Sequence, residues 1–213
     1  MYKTLLFDLD GTLTDTSRGI TNSVAYALEK YGLPYKNKKE LECFIGPPLV
    51  KMFMSKFGLG EAEGLELLAL YREYYSVKGI YENDVYGGIP LLLEKLSESG
   101  KNLIVATSKP EHFAVKILEY FDLAKYFSVI AGATMDETRT AKSDVIRYAL
   151  DTANITDISE VIMVGDREYD VLGAKELGID SVGVLYGYGS REELESAGAT
   201  HIASTVEDIL KFI

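Results

Sequence analysis

Short apolar runs alternate with amphipathic stretches along most of this 213-residue chain, and this alternation constrains the fold more than any other feature. The runs are four to six residues long, rich in β-branched and aliphatic side chains, and end in polar or Gly clusters, a pattern typical of buried strands. They occupy residues 4–9, 102–107, 127–131, 161–164 and 181–185. Helical patterns occupy residues 90–99, 111–121, 141–153, 170–177 and 191–197, and a strand at 201–203 and a helix at 206–212 end the series.

Strands and helices in alternation imply right-handed crossovers between parallel strands. We therefore expect an α/β fold in which a Rossmann-like, doubly wound parallel sheet carries helices on both faces. Residues 17–82 break the alternation, because they show only helical patterns, at 20–31, 39–44, 49–57 and 61–77. This predicts a core domain at 1–16 and 83–213 and an inserted helical domain at 17–82. Residues 71–86 are rich in Tyr, and their helical spacing favours buried aromatics such as Tyr71 over a recognition surface.

The composition excludes several classes of protein. Hydrophobic residues make up 47% and charged residues 26% of the chain, which is typical of a globular protein. The formal charge of −11 repels phosphate backbones, so we expect no nucleic-acid partner. The first apolar run reaches Asp8 too soon for a signal peptide or a membrane span, and we expect a cytoplasmic protein that does not contact membranes. Cys43 is the single cysteine, and we expect it to be a small buried residue.

Two carboxylates stand where the first strand stops. Asp8 and Asp10 are two residues apart, and strand alternation places them on the same side of the chain with Leu9 directed into the core. Ligands of open α/β sheets bind beyond the carboxyl ends of the strands, so both carboxylates lie where chemistry is expected. Gly11 then allows the chain to turn sharply.

A second acidic cluster follows the strand predicted at 161–164. It contains Asp166 and Asp170 at the start of a helix, where helix capping is an alternative explanation for Asp170. If the two strands are neighbours, Asp8, Asp10 and Asp166 converge, with Asp170 as a further candidate, and so much negative charge is costly unless a divalent cation lies among these carboxylates. Oxygen ligands without a nearby Cys or His favour Mg²⁺ over Zn²⁺.

A carboxylate site loaded with a cation is suited to phosphoryl transfer, because the metal offsets the charge of the phosphate and leaves one carboxylate as a nucleophile. Such a site also needs hydroxyl donors and a cation opposite the metal. Thr107 and Ser108 end the second strand and supply hydroxyls, and Lys142 opens the helix after the third strand. By itself, Lys142 would be interpreted as an exposed helical lysine.

Together these residues resemble the haloacid dehalogenase superfamily of phosphohydrolases. Its four signatures appear in order: Asp8-x-Asp10-Gly11-Thr12-Leu13-x-Asp15, Thr107 at the end of an apolar strand, Lys142, and Gly165-Asp166-x-x-x-Asp170. The first signature is highly specific for this superfamily. Thr107 and Lys142 are weak evidence by themselves and support the resemblance only because they occur in this order.

The resemblance implies a role for each residue. Asp8 is expected to be the nucleophile that becomes an aspartyl phosphate, and Asp10 the general acid and base. Thr107, with backbone N–H groups of the site and Ser108, would hold phosphate oxygens, and Lys142 would bridge Asp8 and the phosphoryl group. Asp8, Asp166 and the backbone carbonyl of Asp10 are expected to bind Mg²⁺, with Asp170 supporting the metal site or the Lys142 ammonium.

The helical insertion is similar to the α-helical cap of the phosphoglycolate phosphatase and β-phosphoglucomutase branches. Such caps exclude water and contribute specificity. Arg18 and Lys51 in this insertion are candidate contacts for a second anionic group of the substrate, with solvated surface charges as the alternative.

The resemblance implies a phosphatase that acts on a small phosphomonoester: phosphoglycolate, a nucleoside monophosphate in the manner of a 5'-nucleotidase, or a sugar phosphate. Asp10 favours phosphate-ester chemistry over the dehalogenase and phosphonatase branches, which lack an acid at this position. A β-phosphoglucomutase-like sugar phosphomutase and a non-catalytic binding protein on the same fold are the alternatives. Gly187-Tyr188-Gly189 resembles part of a dinucleotide fingerprint, but Glu192 stands where its third glycine belongs. A monomer and a homodimer are both compatible with the sequence.

Overall fold

The main sheet of the computed structural model is parallel and includes six strands within the described residues, 1–136 and 138–213. The order of its strands is β5-β4-β1-β6-β7-β8. The strands of the chain are β1 (Thr4–Phe7), β2 (Thr14–Asp15), β3 (Asp84–Val85), β4 (Asn102–Pro110), β5 (Val129–Ala133), β6 (Val161–Gly165), β7 (Asp180–Val184) and β8 (His201–Ala203). Both β2 and β3 are short and lie outside this sheet.

Helices cover both faces of the sheet, as the apolar character of its strands requires. Leu5, Leu6 and Phe7 of β1 are consecutive, so they point to opposite faces, yet all three are fully buried. On one face Leu6 packs in a cluster that includes Ile146 of a helix. The α-helices of this part of the chain are α4 (Ile89–Glu98), α5 (Glu111–Tyr120), α6 (Lys142–Thr152), α7 (Glu168–Glu176) and α8 (Arg191–Ala197). The predicted doubly wound α/β fold is therefore confirmed.

Two compact units share the chain: one comprises Met1–Thr14 and Val85–Ile213, and the other comprises Asp15–Asp84. The second unit is helical, and the aromatic residues Phe44, Phe53, Tyr71 and Tyr75 are buried in it. The rings of Tyr71 and Tyr75 stack with their centroids 5.2 Å apart, so these tyrosines belong to a core, as their spacing predicted. Its elements are α1 (Ser17–Tyr31), a 3-10 helix (Lys38–Phe44), α2 (Leu49–Phe57), α3 (Glu61–Tyr75) and a 3-10 helix (Gly79–Tyr81).

Two local expectations were wrong. Cys43 is exposed, because the 3-10 helix that contains it buries Leu41 and Phe44 on its other face. The predicted closing helix is present as a 3-10 helix (Glu207–Lys211), and shorter 3-10 helices are formed by Ala124–Tyr126 and Ile158–Glu160. The second long strand, β4, continues three residues past Thr107 to Pro110, which matters for the site. In the part of the chain that the structure describes, every helix is too short or too polar to cross a membrane.

Candidate active site

The register of the central strands places Asp8 at the centre of the site. β1 lies between β4 and β6, and its last residue, Phe7, is level with Val105 and Val164. The chain therefore reaches Asp8 beside the carboxyl ends of both neighbouring strands, and the Asp8 N–H donates to the carbonyl of Val164 at 2.9 Å. Because β1 and β6 are neighbours, the condition for the two acidic clusters to meet is fulfilled.

Three carboxylates converge at this edge of the sheet. Asp8, Asp166 and Asp170 each place an oxygen within 4.8 Å of the others, and all three side chains are buried. Burial raises the pKa of Asp166 well above its ordinary value, and the charges of Asp170 and Asp8 raise it further. Burial likewise raises the pKa of Asp170, to about 6, against the opposing attraction of a neighbouring ammonium. An all-carboxylate set held in this way fits a hard divalent cation that takes oxygen ligands.

The ammonium beside this cluster is Lys142, the first residue of α6. Its Nζ lies 2.7 Å from Asp170 Oδ1 and 3.1 Å from Asp8 Oδ1, and it donates to the carbonyl of Ala106 at 3.1 Å. The ammonium therefore has one carbonyl acceptor and two carboxylates at ion-pair distance. Burial lowers the pKa of an ammonium, but Asp170 and Asp8 together outweigh this effect and raise the pKa of Lys142. This lysine is a permanent cation at neutral pH and is not an exposed helical residue.

Backbone and hydroxyl donors hold the buried carboxylates in place. Thr12 Oγ1 donates to Asp166 Oδ1 at 3.2 Å, and the N–H of Tyr188 donates to Asp166 Oδ2 at 2.8 Å. The N–H of Arg167 donates to Asp170 Oδ2 at 3.1 Å, which closes the first turn of α7. Asp170 thus has the capping role that was the alternative interpretation and also faces Asp8 and the ammonium.

Glycines surround Asp166 where a side chain would collide with it. A methyl group on Gly11 would lie 2.6 Å or closer to the carboxylate of Asp166, and Gly11 also has a φ of 83°. A methyl group on Gly187 would lie 2.6 Å from Asp166 Oδ2 and closer to its Cβ, and one on Gly189 would overlap the carbonyl of Asp166. The segment that resembled part of a dinucleotide fingerprint is therefore the packing partner of Asp166.

Asp10 has a different partner from the other carboxylates. Its Oδ2 lies 2.5 Å from Nζ of Lys109, a residue near the end of β4 whose side chain is 5% exposed. Burial raises the pKa of the Asp10 carboxyl, and the Lys109 ammonium opposes this rise. Thr107 is buried in the same strand end, and its Oγ1 accepts a hydrogen bond from the N–H of Lys109 at 3.2 Å.

The remaining predicted site residues occupy two environments. Gly11 is buried and Ser108 is half-buried at the strand ends of the sheet unit. Arg18, in the first turn of α1, and Lys51, in α2, are exposed residues of the helical unit. Whether they contact a substrate stays a prediction.

Sequence reasoning missed Lys109, the side chain of Thr12 and the N–H of Tyr188. The signal for Lys109 was present, because Thr107 and Lys109 are two residues apart, the same spacing that placed Asp8 and Asp10 on one side of their strand. That strand was expected to stop at Thr107. The hydrogen bond from Tyr188 joins positions 22 residues apart through a backbone group, so no side-chain pattern marks it.

Comparisons with known proteins show which family the chain resembles. Residues 5–184 match the family model of the haloacid dehalogenase-like hydrolases. The chain is 46% identical over 200 residues to a 5'-nucleotidase of Pseudomonas aeruginosa, covering 94% of this chain and 90% of that protein. It is 40% identical over 208 residues to the tyrosine-protein kinase PtkA of Mycobacterium tuberculosis, covering 96% of this chain and 70% of that protein. The crystal structure of a "predicted phosphatase" from Clostridium acetobutylicum superposes with a TM-score of 0.96 at 46% identity, covering 100% of this chain and 98% of that one.

The sheet with its carboxylates at the strand ends, together with the family match, identifies the class: the chain belongs to the haloacid dehalogenase-like hydrolases. The resemblance drawn from the four signatures is confirmed. Within this family the protein is a phosphoric monoester hydrolase.

Proposed function

We propose that this protein is a Mg²⁺-dependent phosphatase that hydrolyses a small phosphomonoester through an aspartyl phosphate on Asp8. The observation that carries the proposal is the buried cluster of Asp8, Asp166 and Asp170 with the Lys142 ammonium 3.1 Å from Asp8. A nucleophilic carboxylate needs a nearby cation to accept a phosphate dianion without prohibitive repulsion. This cluster supplies a permanent cation and, in addition, oxygen ligands for a divalent one.

The donor set fits Mg²⁺, which favours carboxylate and carbonyl oxygens. Asp8, Asp166 and the backbone carbonyl of Asp10 would hold the ion, and Asp170 would support this arrangement by holding Lys142. When bound, the ion would offset the negative charge of the phosphate and of the buried carboxylates.

Two half-reactions follow from the roles of Asp8 and Asp10. In the first, an Asp8 oxygen forms a bond to phosphorus, the bond from phosphorus to the ester oxygen breaks, and Asp10 gives its proton to that leaving oxygen. In the second, Asp10 takes a proton from water as the water oxygen bonds to phosphorus. The bond from phosphorus to Asp8 then breaks, which releases inorganic phosphate and restores both carboxyl groups.

The phosphoryl oxygens also need donors. Thr107 is buried at the end of β4, beside the strand that carries Asp8, and its hydroxyl would donate to one oxygen, with Ser108 and the backbone near Gly11 as further donors. Lys142 would hold Asp8 and the transferring group in line. We propose that the helical unit serves as the cap domain, with Arg18 and Lys51 as contacts for the rest of the substrate.

A nucleoside 5'-monophosphate is the substrate class we place first, ahead of phosphoglycolate and sugar phosphates. The 46% identity to a 5'-nucleotidase over nearly the whole of both chains supports this order. The runner-up function is transfer to a second hydroxyl in place of water, as in a β-phosphoglucomutase-like enzyme, since the same two half-reactions serve both. The name of the PtkA relative also describes transfer to a hydroxyl.

Release of inorganic phosphate from a panel of nucleoside monophosphates, phosphoglycolate and hexose phosphates, with Mg²⁺ or with EDTA, tests the proposal. We expect Mg²⁺-dependent release, and we expect Asp8→Asn to abolish it while thermal unfolding stays close to that of the native protein. Asp144→Asn, an exposed carboxylate of α6, is the matched control and should retain activity. Full activity of Asp8→Asn would refute the proposal, and an isomerised phosphate ester without free phosphate would establish the mutase.

A further inference from the structure

Lys109 forms a buried ion pair that the chemistry described above does not use. Its Nζ lies 2.5 Å from Asp10 Oδ2, and the two side chains are 5% and 14% exposed. Taking a lysine and an aspartate out of water is costly unless their geometry is good, so this largely buried pair calls for an explanation.

The pair leaves the two oxygens of Asp10 in different situations. Oδ2 is held by Lys109, whereas Oδ1 is buried and accepts no hydrogen bond from the residues that the structure describes. A buried carboxylate oxygen without a donor is an exception that requires an explanation. In a residue assigned to proton transfer, the open oxygen is the one that meets the reacting group.

Both ends of the ion pair are anchored by the backbone. The pairing of β4 with β5 shifts its register between Thr107 and Pro110, and such an irregularity redirects the side chains within it. Within this irregular segment the N–H of Lys109 donates to Thr107 Oγ1. On the other side, Asp10 is bridged to Thr14 and is followed by Gly11 in the left-handed region. Lys109 and Asp10 are therefore held at their separation by two strand ends.

We propose that Lys109 is a positioning residue that holds Oδ2 of Asp10 and thereby directs Oδ1 at the ester oxygen of the substrate. The inference rests on the proposed function, because it takes the acid and base role of Asp10 as given. In the first half-reaction the proton moves from Asp10 Oδ1 to the leaving oxygen as the bond from phosphorus to that oxygen breaks. The N–H groups of Lys109 remain on Oδ2 and exchange no proton.

The contribution of Lys109 should depend on how much the leaving group needs a proton. An alkoxide is a poor leaving group and requires the general acid, whereas 4-nitrophenolate departs as a stable anion. Benzyl phosphate and 4-nitrophenyl phosphate make a suitable pair, since both carry one aromatic ring of similar size. The value of kcat/KM reports the first half-reaction, in which the leaving group departs, so a comparison of kcat/KM isolates the step in question.

The test measures kcat/KM of Lys109→Met, Lys109→Gln and Lys109→Arg with both substrates in Mg²⁺. General acid catalysis accelerates a reaction about 10²–10⁴-fold. We therefore expect the kcat/KM of the first two variants to fall about 10–100-fold more with benzyl phosphate than with 4-nitrophenyl phosphate. The arginine variant should restore part of the loss with benzyl phosphate. Lys116→Met, at an exposed position of α5, should stay within about twofold of the native protein on both substrates.

Asp10→Asn separates failure of this inference from failure of the proposed function. If this variant shows the selective loss with benzyl phosphate and the Lys109 variants do not, the positioning role is refuted and the role of Asp10 stands. If the kcat/KM of Asp10→Asn falls by the same factor on both substrates, the assignment of Asp10 as general acid fails and the inference fails with it. Equal losses on both substrates in Lys109→Met and Lys109→Gln would show a general role in charge or packing and would also overturn the proposal. If the methionine variant does not fold, the glutamine variant, which is polar and has as many side-chain heavy atoms as lysine, provides the same measurement.

Discussion

Gly187→Ala should both destabilise the protein and weaken its affinity for Mg²⁺. The added methyl group would lie 2.6 Å from Asp166 Oδ2, and closer to the Asp166 Cβ and to the carbonyl of Gly11. Two of these three atoms belong to the backbone or lie next to it, so the segment must move as a whole. Forcing a methylene into a well-packed site costs about 1–3 kcal/mol. For a chain of this size, this corresponds to a fall in Tm of about 2–12 °C.

The effect on Mg²⁺ follows from the hydrogen bond that the same segment makes. The N–H of Tyr188 donates to Asp166 Oδ2 at 2.8 Å, and a displaced Gly187 would carry this donor with it. Loss of an outer partner of a metal ligand typically weakens metal affinity about 10–100-fold. At a Mg²⁺ concentration of 100 times the native Kd, the stabilisation by Mg²⁺ would fall from about 2.7 kcal/mol to about 0.4–1.4 kcal/mol.

Thermal unfolding with and without Mg²⁺, together with calorimetric titration of Mg²⁺, measures both effects. Gly87→Ala is the matched control, because a methyl group there meets nothing within 4 Å and neither glycine has a positive φ. We expect this control to stay within about 0.5 kcal/mol of the native protein. A Gly187→Ala protein with unchanged Tm and unchanged Mg²⁺ affinity would refute the packing argument.

Three further predictions concern charge. Lys142→Met leaves Asp8 and Asp170 buried without their ammonium, so turnover should be lost. The free energy of unfolding, measured in urea, should fall by about 3–5 kcal/mol. A fall of less than about 1 kcal/mol would contradict the ion-pair argument. The pKa of Asp170 in the folded, metal-free protein is raised to about 6, so between about pH 4 and 6 this carboxyl binds a proton that an unfolded one does not. Protonation of Asp170 should therefore raise the free energy of unfolding of the metal-free protein as the pH falls through this window. Binding of Mg²⁺ should release protons, and the Mg²⁺ affinity should weaken as the pH falls. Calorimetry in two buffers of different ionisation enthalpy would detect the released protons. Arg18→Ala and Lys51→Ala should each raise KM for the best substrate with little change in kcat, and unchanged KM values in both would remove these residues from the substrate contacts.

Much of the sheet and part of the site were predictable because they depend on local patterns. An apolar run of four to six residues indicates a buried strand, and a polar residue at its carboxyl end marks the edge where α/β proteins bind ligands. This reasoning placed Asp8 and Asp166 at the ends of two strands and Lys142 at the start of a helix, as the structure has them, whereas the structure decided that the two strands are neighbours. It failed for Cys43, because a short 3-10 helix has no long apolar face from which the burial of one position follows.

The sequence by itself determined which residue types stand at the strand ends, since periodicity and burial are encoded within a few residues. The family resemblance already paired Lys142 with Asp8, and only the tertiary structure decided that Lys142 also pairs with Asp170 and that Lys109 pairs with Asp10. Lys109 and Asp10 are 99 positions apart, and their contact depends on strand order, register and an irregularity at the end of β4. Ion pairs and close backbone approaches are formed between distant segments, so their physical cause lies in the packing of the sheet and not in any local pattern.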